Sequence, residues 1–547
     1  MTVLTLNRKE LEEKIGKINE KVEERITMMG TPIEELTAES LSVDVTPNRP
    51  DLLSIQGFTR SFLQFIGKEG VKKYKTKEAE KDFEVKIDKS VKKVRPYTAC
   101  MIVKNLKLSD SKIKELIDIQ EKLHLTLGRK RKKLAIGIYP LEKIKLPIRY
   151  LAKKPDDIKF QPLEFPRELT GRQILSQHPA GREYAHLIEK SELFPIFVDA
   201  NNKVLSMPPI INSHETGKIS LNTKEVFVEC SGFNLEYLKK TINILAACFS
   251  DMKEDIFQMK IDDPDGKFIS PNLEPEKTEF KIEDINKTLG LSLSEKEIRN
   301  SLEKMGIELT KEKDKYIALS PAYRTDILHW VDLAEDVAIA YGYENFVPEI
   351  PKIATIGEES KEAKRKKLLQ NIISGLGFLE VSSFHLANKE DVKKMHFDFK
   401  EFIDVEESKT DYNVLRIDLL SNILKILYEN SDSGYPQSIY EIGRVFAKNK
   451  EKDTGVEEKE RLALAIANEK VNFTQIKQVL DYLFKMLGKE YKLEPVESSN
   501  FIIGRAAKIL VGEKEVGIMG EVAPRVLKNW KIKMPTVALE MNLEFLN

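Results

Sequence analysis

The sequence is poor in the residues that carry the most diagnostic chemistry. It has three cysteines in 547 residues, Cys100, Cys230 and Cys248, and none stands in a C-x-x-C pair. A disulfide framework and a zinc ribbon are therefore excluded, and a reducing compartment is expected. The seven histidines show no H-x-x-x-H spacing, which removes a zinc site of that kind. Hydrophobic runs are short. The longest without a charge, around Thr241–Ser250, cannot cross a bilayer, and residues 1–14 lack a signal-peptide core with its cleavage site. A cytoplasmic location is the expectation. No G-x-x-x-x-G-K-[ST] or G-x-S-x-G occurs, and the one G-x-G, Gly375-Leu376-Gly377, runs into Phe378-Leu379-Glu380 and fails the dinucleotide pattern. Nothing marks a self-contained nucleotide hydrolase or covalent catalyst. Net charge is absent as well: 88 basic residues balance 88 acidic ones, which rules out a polycation while leaving room for a local basic face.

What is present is a long, ordinary globular composition. With 41% hydrophobic and 32% charged residues, the chain has enough apolar material for cores. At roughly 100–200 residues per domain it should hold about three to five domains. The first segment opens with the strand-like Thr2–Leu6 and reaches Asp44-Val45-Thr46-Pro47-Asn48-Arg49-Pro50-Asp51-Leu52-Leu53. Its prolines force an extended turn, and Asp51 is placed to cap a helix striped by Leu52, Ile55, Thr59, Phe62 and Ile66. Residues 68–95 are rich in Lys and Glu and read as a linker with at most one strand, Phe83–Ile87. From Arg95 to about Asp265, β-type runs (Thr98–Val103, Leu134–Ile138, Ile196–Val198, Val226–Glu229) mix with helices Ser111–His124 and Leu235–Phe249, predicting an α+β domain. Residues 266–351 alternate helix (Ile282–Leu289, Glu295–Met305), strand (Tyr316–Ser320) and helix (Leu333–Tyr341), as in a small winged or helix-turn-helix domain. Residues 352–547 begin with an amphipathic helix, Lys361–Gly375, and continue as a larger mixed sheet domain.

Three groups of residues could carry chemistry. On a helix starting near Asp332, the residues Asp332, Glu335 and Asp336 share one arc of about 100°, with Leu333, Ala334, Val337, Ala338 and Tyr341 opposite. Asp326 lies in the approach to that helix. Four hard oxygen donors suit Mg²⁺, although acids in a first helical turn also complement the macrodipole. Arg129, Lys130 and Arg131 open a run of five cations between a helix and a strand, as a phosphate-backbone contact or a solvated loop. Met207-Pro208-Pro209-Ile210-Ile211-Asn212-Ser213-His214 sets small polar groups after a rigid apolar turn; His214 is a base or a surface residue. Glu229 sits in the otherwise apolar Val226-Phe227-Val228-Glu229-Cys230. Period-2 alternation favours a carboxylate pointing to solvent over one serving a pocket.

Several of these signatures occur in an order that identifies a family: Asp44–Leu53, Leu205–Ser213 with Phe227–Cys230, Pro321-Ala322-Tyr323-Arg324-Thr325-Asp326 through Glu335-Asp336 to Tyr341-Gly342-Tyr343, Tyr440–Val445, and Gly517–Val522. Over essentially its whole length the chain resembles the β subunits of phenylalanine–tRNA ligases of the archaeal/eukaryotic type. The resemblance implies an (αβ)₂ heterotetramer that activates phenylalanine with ATP and joins it to tRNA(Phe). It implies an N-terminal β-subunit domain with linker over 1–94 and a tRNA-editing, B3/B4-like domain over 95–265. It further implies a small B5-like domain over 266–351 holding Mg²⁺, jointly with the α subunit, at Asp326, Asp332, Glu335 and Asp336. Residues 352–547 are similar to a class II synthetase core, an antiparallel sheet in a catalytically silent copy. Class II chemistry needs one strand arginine on the α-phosphate and another in a Gly-rich final motif. Here Arg444 stands at the wrong end of its strand, and Gly517–Arg525 offers Glu521 and Pro524 instead. Aminoacylation is thus expected in the partner, with no catalytic residue for it here. Editing is expected to hydrolyse tyrosyl-tRNA in a pocket formed by Glu229, Asn212 and Ser213, with Arg129, Lys130 and Arg131 touching tRNA. The alternatives are a tRNA-binding assembly scaffold with an inert editing site and an autonomous metal enzyme around Asp326–Asp336, which lacks an accompanying base or nucleophile.

Overall fold

A computed structural model of the chain describes residues 2–312, 315–350, 355–397, 399–406 and 408–546. The chain divides into two units, residues 1–350 and 351–547.

The first unit starts with β1 (Thr2–Asn7), α1 (Arg8–Ile15), α2 (Glu20–Met28), β2 (Ile33–Leu36) and β3 (Ser40–Val45), a three-stranded sheet in the order β1-β3-β2. Then comes α3 (Ile55–Phe65), buried on every face. Its cap is Ser54, whose Oγ accepts the Gly57 N–H at 3.1 Å, and not Asp51. Asp51 is drawn away by charge: it accepts from Arg49 at 2.9 and 3.0 Å and lies 3.7 Å from Arg60.

The large sheet follows, built from β4 (Glu84–Ile87), β5 (Tyr97–Lys104), α4 (Asp110–Leu125), β6 (Leu134–Pro140) and β7 (Ile148–Lys153). The chain continues through β8 (Lys159–Phe160), β9 (Leu169–Thr170), α5 (Gly171–Gln177), α6 (Pro179–Tyr184), β10 (Phe194–Val198), β11 (Val204–Met207), β12 (Ile211–Asn212) and α7 (His214–Gly217). It closes with β13 (Val226–Gly232), α8 (Leu235–Asp251), β14 (Asp255–Asp263) and β15 (Gly266–Ser270). The strand order is β12-β11-β10-β7-β4-β14-β5-β13-β6, with β15 on β14. The supposed linker therefore contributes a central strand: Val85 and Ile87 are buried, and β4 pairs with both β14 and β7. The one strand expected there, Phe83–Ile87, is β4; its central place does not show in the composition because alternate residues of β4 are charged. The β14–β15 hairpin likewise spans residue 265, where composition places a boundary.

The small module is β16 (Glu276–Phe280), α9 (Ile282–Leu289), α10 (Glu295–Lys304), β17 (Glu308–Glu312), β18 (Lys315–Ser320) and α11 (Trp330–Tyr341). Its sheet, in the order β16-β18-β17, makes it more β-rich than the helical reading, because β16 and β17 are charged edge strands with little apolar signal. The boundary placed between 351 and 352 lies outside the described residues.

In the second unit, α12 (Lys361–Gly375) precedes β19 (Leu379–Glu380), β20 (Leu386–Ala387), α13 (Lys389–Lys393), β21 (Val414–Leu415), α14 (Leu420–Glu429), β22 (Gln437–Lys448) and β23 (Val456–Ala467). Next are α15 (Phe473–Met486), β24 (Lys492–Pro495), β25 (Phe501–Val511), β26 (Lys514–Val522), α16 (Pro524–Trp530) and β27 (Thr536–Asn542). The sheet β19-β22-β23-β27-β26-β25-β24 is antiparallel except at β19–β22. Alternation along β23 separates its two faces: Leu462 and Leu464 pack with α12 and α15, while Ala463, Ala465 and Ala467 lie under α14 and Trp530. Among the described residues, no helix is long and apolar enough to cross a membrane.

Candidate functional site

β13 is paired along its whole length, with β5 on one side and β6 on the other, and all seven of its residues are buried. Val228 and Cys230 join the core beneath α8, so period 2 turns Phe227 and Glu229 to the opposite face. That face is covered too, because the sheet coils until Tyr139 on β6 meets Ser206 on β11, their hydroxyl oxygens 2.7 Å apart. The solvent-facing reading of Glu229 is overturned: the residue is 2% exposed and lines a cavity of about 330 Å³.

The cavity runs along β6, between α4 and the Pro208–Asn212 turn with its cis Pro208–Pro209 bond. Ile113, Ile117, Ile136, Ile138 and Ile210 give it an apolar lining. Glu229 Oε1 lies 3.1 Å from the Tyr139 hydroxyl, and Oε2 has no hydrogen-bond partner. Burial pushes the Glu229 carboxyl up to about 8, against the opposing pull of the Tyr139 hydrogen bond, the buried Arg95 guanidinium and the neighbouring Ser231 hydroxyl.

A second polar group lines the same cavity. His124 Nε2 accepts the Ile136 N–H at 2.8 Å, which leaves the neutral ring's proton on Nδ1, 3.2 Å from Glu121 Oε1. Arg131 donates to Glu121 Oε1 at 2.9 Å and to the Ile210 carbonyl at 3.1 Å, and its guanidinium lies 4.5 Å from the Tyr184 ring centroid. The His124 hydrogen bond and the Arg131 guanidinium hold Glu121 down to about 2 against its burial, while burial lowers His124. Arg131 reaches this position through three consecutive left-handed residues, Arg129, Lys130 and Arg131 at φ 45°, 55° and 64°. The basic run thus splits: Arg129 and Lys130 are exposed, and Arg131 turns inward.

Asn212 lines the cavity, its Oδ1 3.4 Å from the Tyr139 hydroxyl. Ser213 is buried beside it, outside the lining, with its N–H on the Leu205 carbonyl. His214 is half-buried and also outside the lining. Tyr139, Ser206, Glu121 and His124 were not singled out from sequence. The first ends an apolar run, and the others carry no spacing signal, because coiling of the sheet alone brings them together.

The four carboxylates around α11 part company. Asp336 is 4% exposed and does not share the outward arc; it accepts from the buried Arg324 at 2.8 Å. Asp326 accepts from the same guanidinium twice, both at 2.8 Å. Asp332 Oδ2 accepts the Leu328 and His329 N–H groups at 2.7 Å, closing the capping box of α11. Glu335 is exposed. The donor set has the all-oxygen chemistry of Mg²⁺, but the chain alone does not close a site around it: among the described residues no three His, Cys, Asp or Glu side chains converge to hold a metal.

Three family models match the chain. They are described as the phenylalanyl-tRNA synthetase beta chain CLM domain (residues 347–543), the tRNA synthetase B5 domain (278–343) and the B3/4 domain (79–251). The phenylalanine–tRNA ligase beta subunit of Pyrococcus abyssi is 38% identical over 499 residues, 91% of this chain and 89% of that one. The beta subunit of Archaeoglobus fulgidus is 36% identical over 549 residues, 99% of this chain and 98% of the relative. Among solved structures, an N-terminal fragment of the phenylalanyl-tRNA synthetase beta subunit of Pyrococcus horikoshii is 34% identical and aligns with a TM-score of 0.59, covering 62% of this chain and 99% of the fragment. Sustained identity across nearly the full length of both partners means that the chain belongs to the family of phenylalanine–tRNA ligase beta subunits.

Proposed function

We propose that the chain is the β half of an (αβ)₂ phenylalanine–tRNA ligase, supporting attachment of phenylalanine to tRNA(Phe) by the α subunit, and that its cavity at Glu229 hydrolyses tyrosyl-tRNA made in error. The observation that carries the editing reading is a buried carboxyl with one unpartnered oxygen in a cavity lined mainly by apolar residues. Phenylalanine and tyrosine differ by one para hydroxyl. An apolar synthetic pocket rejects an added hydroxyl only about 10²-fold, whereas a site built to bond that hydroxyl favours it by about 10⁴ or more. Glu229 supplies such a site.

At the other polar group, Arg131 is a fixed cation for the oxyanion that forms when water attacks the ester carbonyl. Glu121, held at about 2, is a weak base; its part is to fix Arg131 and orient the water, whose proton passes to the ribose oxygen of the tRNA as the ester C–O bond breaks. His124 is no base either, since its Nε2 lone pair is taken by the Ile136 N–H. Asn212, its Oδ1 3.4 Å from the Tyr139 hydroxyl, serves the para-hydroxyl end of the cavity and not the ester, with Ser213 fixing the turn behind it. Arg129 and Lys130 contact tRNA phosphates. The editing domain is built on residues 95–265, with β4 from the 1–94 segment and β15 completing its sheet, and the rest of 266–351 forms the small module.

Residues 352–547 serve as a silent class II-like core. Arg444 is half exposed and pairs with Glu458 at 3.1 Å. Arg461, a strand arginine that no sequence motif marks, pairs with the buried Glu540 at 2.8 Å, and that carboxylate also accepts the Leu419 and Leu420 N–H groups. A counter-charge so placed opposes a phosphate, which supports ATP chemistry in the α subunit. Mg²⁺ at Asp326, Asp332, Glu335 and Asp336 would need groups of that subunit to complete its shell, and no step here depends on it.

The test is deacylation of tyrosyl- and phenylalanyl-tRNA(Phe) by the αβ complex, with and without Glu229→Ala. Selective hydrolysis of the tyrosyl ester, lost in the variant while charging persists, is the expected result. Hydrolysis of neither ester by the unaltered complex overturns editing and leaves the scaffold.

A further inference from the structure

We propose that the Tyr139 hydroxyl is a positioning group that commits one oxygen of Glu229 and so leaves the other as a single-atom reader of the ligand's para hydroxyl. The proposal rests on the reading of this cavity as a tyrosine-selective hydrolytic site, and it adds the residue that makes the carboxyl selective.

The placement begins in strand register. Across β6 and β13, Tyr139 faces Phe227 and Gly137 faces Glu229. Tyr139 and Glu229 are diagonal neighbours, a separation that only long side chains bridge. Gly137 lets them do so: a Cβ there would stand 2.1 Å from the Tyr139 hydroxyl and 2.6 Å from Glu229 Oε1. The two polar groups meet in the volume a side chain at 137 would fill.

The Tyr139 ring cannot move aside. It is fully buried and stacked on Phe227, with ring centroids 5.8 Å apart. Its hydroxyl lies 2.7 Å from Ser206 Oγ, 3.1 Å from Glu229 Oε1 and 3.4 Å from Asn212 Oδ1, so its one proton serves one of three acceptors. Freed from Tyr139, the carboxyl could turn toward Ser206 or Asn212 and satisfy itself. Held at Oε1, it keeps Oε2 buried and unpartnered. A buried acceptor without a partner favours any ligand that brings a donor, which tyrosine does and phenylalanine does not.

The experiment uses the αβ complex and reads the ratio of tyrosyl to phenylalanyl deacylation as a function of pH. Tyr139→Phe keeps the ring and removes the hydroxyl. It should lower the ratio at least tenfold and move the midpoint of its pH dependence upward, because the hydroxyl's hydrogen bond favours ionised Glu229. Ser206→Ala leaves the Tyr139 proton to Glu229 and should move the midpoint downward, so the two variants shift it in opposite directions and the second remains a test should the first not fold. If Glu229→Ala destroys the preference while Tyr139→Phe leaves ratio and midpoint untouched, the positioning role is wrong and the pocket reading stands. If Glu229→Ala also preserves the preference, the pocket reading itself fails.

Discussion

Arg324 and Asp336 form a fully buried ion pair, the guanidinium donating to Asp336 Oδ2 at 2.8 Å while holding both oxygens of Asp326 and the Met305 carbonyl. The small module thus has its own internal cation. Removing one member of a buried pair leaves an uncompensated charge, at about 3–5 kcal/mol. Arg324→Met should therefore lower the chain's unfolding midpoint in urea sharply. A midpoint shift worth under about 1 kcal/mol would show the pair to be solvated.

Glu335 and Asp332 separate metal binding from helix capping. Asp332→Ala should destabilise the chain by about 0.5–2 kcal/mol through lost capping of α11, whereas exposed Glu335→Ala should leave stability within about 0.5 kcal/mol. If Mg²⁺ sits at the subunit contact, Glu335→Ala should raise the Mg²⁺ concentration needed for α–β assembly, read by sedimentation. An unchanged requirement would leave these acids to the helix.

Glu229 should leave a mark on stability against pH. Its carboxyl titrates near 4.5 when unfolded and is pushed up to about 8 in the fold. Between those values the folded chain keeps a proton that the unfolded chain has released, so the group's contribution, full below about 4.5, is lost as pH rises toward 8. Glu229→Gln should flatten that decline in thermal melts. Parallel curves for the two proteins would mean that the carboxyl is already ionised at neutral pH.

The basic turn should divide in its response to salt. Neutralising Lys130 should reduce the slope of log affinity for tRNA against log salt by about one unit while deacylation persists. Arg131→Met should instead slow deacylation by about 10²–10³-fold, the loss typical of one oxyanion donor, with a smaller effect on the slope. Equal slopes for both variants would return Arg131 to the phosphate contact that the sequence suggests.

The isolated chain should give no phenylalanine-dependent ATP–pyrophosphate exchange, since Arg461 is neutralised by Glu540 and Arg444 by Glu458. Exchange by this chain without its α partner would place active chemistry in residues 352–547.

Regular elements were legible where periodicity ran long. Helices Ile282–Leu289 and Lys361–Gly375 match their expected bounds, and Leu235–Asp251 extends its expected span by two residues. Charged edge strands such as Glu276–Phe280 were not, because they bury too little to show alternation. At the cavity, Glu229 was visible as an acid in an apolar run, yet its direction was not. Period 2 gives the face of a strand, and only coiling of the sheet decides whether that face meets water. Tyr139 and Ser206 are 67 residues apart, and no local pattern joins them. Nothing in the basic run marks Arg131 as turning inward, because the left-handed turn that reverses it uses residues that seldom adopt it.

The double pairing of β13 ties the ligand site to the fidelity of folding. A one-residue slip against β5 and β6 would carry Glu229 into the core beneath α8, among Leu238, Ile242 and Leu245, and bring Cys230 opposite Gly137. A carboxyl there would have no partner of any kind, and the mispaired sheet would carry its full desolvation cost. The same side chain that sorts one amino acid from another in the finished protein therefore sorts the correct strand register from its nearest competitor while the sheet is forming.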